Sequence, residues 1–89
     1  MVKEGQLLAV FNSTHRVMKA ESILKARGVQ MLLIPAPRQL KTDCGLAIRF
    51  DEEYREALMN TLQQEKLLPE FIARLAANGY ETVWGSNDN

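Results

Sequence analysis

The chain has 89 residues, 46% of them hydrophobic and 25% charged, with 11 basic and 11 acidic side chains that cancel. That length fits one domain over 1–89, with 1–5 and 85–89 as frayed tails, and the cancelled charge excludes a global field that would draw in nucleic acid or an anionic membrane. A single cysteine forms no internal disulfide, and no stretch reads as a secretion signal or a membrane helix, so the expected location is the cytoplasm. A core this small would gain from burial in a homodimer.

In chain order, Leu7 to Phe11 is a continuous apolar run that stops at Asn12 and Ser13, the pattern of a buried strand. Asn12, Ser13 and Thr14 are each able to cap the helix that follows, with Ser13 the favoured N-cap. Val17, Ala20, Ile23 and Leu24 recur at helical spacing, and Gly28 closes it in a left-handed conformation. Val29 to Ile34 reads as a second strand, stopped by Pro35 and Pro37, and Leu46 to Phe50 as a third. Asp51 is expected to cap a second helix, with Glu52 and Glu53 in its first turn and Tyr54, Leu58 and Leu62 as its inner stripe, flanked by Ala57 and Thr61. The spacing after Pro69 predicts a further short helix, to Ala77, anchored by Phe71, Ile72 and Leu75. Tyr80 to Trp84 is the last strand.

Strand, helix, strand, strand, helix, strand is the ferredoxin-like order, an α+β fold with both helices on one face of an antiparallel sheet in spatial order 4-1-3-2. A thioredoxin-like or other small α/β layer is the rival. The first and third strands are then antiparallel neighbours, so Cys44, at the start of the third, lies beside Asn12, Ser13, Thr14 and His15. A helix N-terminus offers unpaired N–H groups and a partial positive charge, both of which favour a thiolate, the nucleophilic form of cysteine. Gly45 leaves room beside the sulfur, and Arg38 and Lys41 add positive charge. Asp43 opposes it.

Bland readings stand next to these. A free cysteine often fills a small apolar gap, and a histidine in a first helical turn is usually solvated. One His and one Cys, even with Asp43, fall short of a structural zinc site, and no other cofactor motif is present. Asp51, Glu52 and Glu53 read as a cap with its dipole complement, and Met18, Met31 and Met59 as core filler. Trp84, on an expected edge strand, marks a partner or dimer surface.

Phe11, Ser13-Thr14-His15, Ala20-Glu21 and Leu24, then Pro35-Ala36-Pro37-Arg38 and Cys44-Gly45-Leu46-Ala47, together resemble the selenium/sulfur (Se/S) carrier protein-like domains, over roughly residues 7–62. The resemblance implies that Cys44 carries sulfane sulfur or selenium as a persulfide or perselenide, with Gly45 and Arg38 shaping its loop. Ser13 and His15 match the helix-start pattern, and a chemical role for them follows only from the expected geometry. Lys41, Thr42 and Asp43 stand where small hydroxyl residues are usual, and the chain beyond Leu62 runs longer than the minimal domain.

The expected function is therefore a carrier that takes sulfur or selenium from a donor such as a cysteine desulfurase and gives it to an acceptor protein, rather than a multiple-turnover enzyme. The alternative is a small-ligand- or protein-binding regulatory module without covalent chemistry. A third reading is redox sensing through an intermolecular Cys44 disulfide.

Overall fold

The computed structural model describes residues 2–86. Its elements are β1 (Leu7–Val10), α1 (Thr14–Ala26), β2 (Leu32–Pro35), β3 (Leu46–Phe50), a 3-10 turn (Glu52–Tyr54) leading into α2 (Arg55–Gln64), β4 (Phe71–Ala76) and β5 (Gly79–Gly85). The strands form one antiparallel sheet in the order β2-β3-β1-β4-β5. This is the expected α+β, ferredoxin-like arrangement, extended by one strand.

β1 is the centre of the sheet. Leu7 pairs with Phe50 on one side and with Arg74 on the other, and Val10 pairs with Ala47 and Phe71. Strand side chains alternate between faces. Leu7 and Ala9 join Ile48, Phe50 and Ile72 under α1 and α2, which contribute Val17, Ala20, Leu24, Leu58 and Leu62. Leu8 and Val10 face the other way and are equally buried. There they meet Ile34 and Ala47, with Val2, Ala36, Leu40, Phe71 and Tyr80 packed around them. A strand covered on both faces needs apolar residues at every position, which is why β1 shows no polar alternation.

Ser13 caps α1 as expected: its hydroxyl accepts the Arg16 N–H at 3.1 Å. At the other end, the Val29 N–H donates to the Leu24 carbonyl and the Gly28 N–H to that of Lys25, with Gly28 at φ +75°. That is the Schellman closure, and it requires the left-handed region that glycine enters without a steric penalty.

Four expectations need correction. The segment after Pro69 is strand β4, not a helix, and it occupies the place beside β1 that was expected for Tyr80–Trp84. The later segment forms the outer strand β5. The apolar positions 71, 72, 75 and 76 mimic helical spacing. The exposed edge of β1 nevertheless offers β4 a full ladder, and Ala73 and Ile72 are buried on opposite faces. Asp51 makes no side-chain cap bond; its Oδ1 accepts from Gln6 Nε2 at 2.9 Å. Met18 is exposed, because it falls on the solvent side of α1, whereas Met31 and Met59 pack against the core. Ala57 is likewise exposed, while Thr61, Leu58 and Leu62 are buried.

Of the flanks expected to fray, Met1 and residues 87–89 lie outside the described residues. Gly5 donates its N–H to the Leu75 carbonyl, and Ser86 donates its own to that of Glu70. Among the described residues no helix is long and apolar enough to cross a membrane.

Candidate functional site

The antiparallel pairing of β1 and β3 brings the turn before β3 to the start of α1. Two threonines join them. Thr42 Oγ1 donates to the Phe11 carbonyl at 3.1 Å and accepts the Cys44 N–H at 3.3 Å, while Thr14 Oγ1 lies 3.4 Å from the Cys44 carbonyl. A Ser or Thr hydroxyl that caps an N–H two residues on is a common local turn. Here the same hydroxyl also ties the turn to the end of β1.

Cys44 is half-buried, and its side chain packs against the helix-side core. Both hydrogen bonds of its sulfur go to Leu46. The Leu46 N–H approaches Sγ at 3.3 Å, and Sγ lies 3.0 Å from the Leu46 carbonyl. The sulfur is thus folded back on the residue two positions ahead, with one backbone donor and one backbone acceptor beside it.

Gly45 sits at φ +74°, and a Cβ built there would meet nothing within 4 Å. Its requirement is thus the left-handed backbone that lets the sulfur fold back on Leu46. The turn is closed at its base by the Ala36 N–H donating to the Gly45 carbonyl at 2.9 Å.

The other expected site residues lie around this turn in different states. The Ser13 hydroxyl is engaged as the N-cap. His15, in the first turn of α1, is exposed, as is Arg38, which lies in the turn closed by the Leu40 N–H and the Pro37 carbonyl. Neither makes a hydrogen bond to the sulfur among the described residues. Sequence reasoning missed Thr42 as the connector. The signal was present, a hydroxyl residue two positions ahead of the cysteine. Among the described residues no group of three or more His, Cys, Asp or Glu side chains is placed to hold a metal.

On the opposite face of the sheet end, a groove of about 630 Å³ is lined by Val10, Asn12, Leu40, Thr42, Glu70 and Phe71, among others. Thr42 and Asp43 border it, but Cys44 does not, because its side chain lies on the helix side.

Fold and site together define a small ferredoxin-like protein with a single half-buried thiol on a pinned turn at the head of its first helix. The family model described as "Putative Se/S carrier protein-like" matches residues 6–74, and the chain belongs to that family. No curated protein and no solved structure matches the chain.

Proposed function

We propose that the protein carries sulfane sulfur or selenium on Cys44. The observation that carries this reading is the family match across residues 6–74, which includes the one cysteine of the chain. The thiolate of Cys44 attacks the outer sulfur of a donor persulfide. The Cys44 Sγ–S bond forms, the donor's S–S bond breaks, and the donor leaves as a thiolate. An acceptor thiolate then attacks the outer sulfur now on Cys44, and Cys44 is released as the thiolate. No electron is gained or lost overall, so neither cofactor nor oxidant is consumed. A cysteine desulfurase is the expected class of donor, and a reducing cytoplasm the expected setting.

Several features support this role. Two side-chain hydrogen bonds hold the Cys44 backbone, a third ties Thr42 to the Phe11 carbonyl, and the Leu46 N–H stands 3.3 Å from the sulfur. Gly45 puts no side chain next to Cys44, and the space at its own Cβ position is open. Exposed His15 and Arg38 flank the turn and would face an approaching partner.

The test is incubation with a cysteine desulfurase and cysteine, followed by mass spectrometry of the intact chain. One added sulfur, located on Cys44 and absent from Cys44→Ser, is expected. Failure to load from donors that load another acceptor in the same assay overturns the proposal. A binding module is the second reading, favoured by the groove beside Thr42. In that case Cys44→Ser keeps full activity in cells, whereas the carrier reading requires its loss.

A further inference from the structure

A second surface, on the helix side beside the sheet edge, is built around the only tryptophan. β4 and β5 pair with a slip: Ile72 stands opposite Trp84, but Ala73 stands opposite Thr82, so Val83 is an extra residue. Uninterrupted alternation would put Trp84 on the same face as Thr82. The bulge turns it to the helix side instead, where it packs against the main core.

There Trp84 and Met59 floor a groove of about 530 Å³ between α2 and β5, bordered by Glu53, Glu56 and Asn60. Glu52 and Arg55 close one end. Glu52 is taken by Arg55 and Arg74, and Glu53 lies against the Tyr54 phenol. Glu56 is exposed and has no ion pair or hydrogen bond among the described residues. With Glu52 shared between two guanidinium groups, Glu53 and Glu56 leave the groove slightly acidic, which suits a cation over a phosphate.

We propose that this groove receives an arginine from an exposed basic segment of a partner protein. The guanidinium stacks on the Trp84 indole and pairs with the Glu56 carboxylate. An indole face is the best aromatic surface for a cation, and the flat, weakly hydrated guanidinium stacks on it better than an ammonium does. Its forked donors also fit a carboxylate side-on. Neither Trp84 nor Glu56 takes part in the Cys44 chemistry, so the groove would dock a protein whether or not sulfur is transferred.

Because Trp84 is the only tryptophan, its emission reports the groove directly. The full chain is titrated with an acetylated, amidated pentapeptide of glycine carrying two arginines, and with the same peptide carrying two citrullines. The arginine peptide is expected to give a saturable change that is weakened by salt and about threefold or more weaker in Glu56→Gln. The citrulline peptide should give little. Cys44→Ser should behave as wild type, which separates this result from the carrier test. No saturable change, an equal response to citrulline, or binding indifferent to Glu56→Gln overturns the proposal.

Discussion

β1 and the Cys44 turn are neighbours in space, and they are held by different forces. All four residues of β1 are within 1% of complete burial, with apolar partners on both faces and a strand on each side. The turn over residues 36–45 has no fully buried residue, and only Ala36, Leu40 and Cys44 of it pack against the apolar clusters. Its shape rests on a few directional bonds through Thr42, Thr14 and the left-handed Gly45. The core thus sets stability, and the turn sets where the sulfur stands. Mutations in the two regions should separate along that line.

The largest effect is expected from Leu8→Ala. It removes a fully buried side chain from the face opposite the helices and should cost about 2–5 kcal/mol in urea unfolding. Thiol reactivity measured under native conditions should hardly change. A loss below about 1 kcal/mol would mean that this face is covered less firmly than its burial indicates.

Thr42→Val should reverse the pattern. It strips partners from the Phe11 carbonyl and the Cys44 N–H, at a cost of about 1–3 kcal/mol. It should also change the rate at which Cys44 exchanges with an aromatic disulfide, and Thr42→Ser should restore that rate. An unchanged rate in Thr42→Val would show that the hydroxyl does not position the sulfur.

Gly45→Ala places a Cβ on a left-handed residue with open space around it. The expected cost is about 1 kcal/mol, again with altered exchange kinetics. If neither stability nor kinetics moves, the turn takes another backbone shape at no cost.

The smallest effect concerns Glu52, whose carboxyl is held below its ordinary value first by the hydrogen bond from Arg74 and then by Arg55, against some desolvation. A depressed folded value means that the contribution is present at neutral pH and is lost as pH falls below about 4.5 through the folded value. The side chain is more than half exposed, so screening leaves roughly 0.5 kcal/mol or less. Glu52→Gln should lose that amount at pH 7, and the gap should shrink as pH falls through the folded value. A gap that does not shrink with falling pH would assign the effect to packing instead.

Much of the fold was legible because several local signals agreed. In β1, α1 and β3, apolar pattern, cap and glycine closure all point to the same element. The nearness of Cys44 to the head of α1 then follows from antiparallel neighbours alone. Phe71 to Ala76 was not legible, since its spacing serves a helix as well as a strand and only the open edge of β1 decides between them. The bulge that turns Trp84 inward is a relation between two strands and leaves no mark in either one. Asp51 was misread for a similar reason: a residue built to cap was claimed by Gln6, distant in sequence. The sulfur's own partners, both on Leu46, depend on the φ of Gly45, which a glycine permits but does not dictate.

The Thr42 hydroxyl hangs on the Phe11 carbonyl, one residue past β1. Amides of a strand paired on both sides and covered on both faces exchange with deuterated solvent only when the whole molecule opens. The thiol's turn is therefore moored beside a strand whose amides are expected to be among the last to exchange. Loosening the turn need not open the sheet behind it.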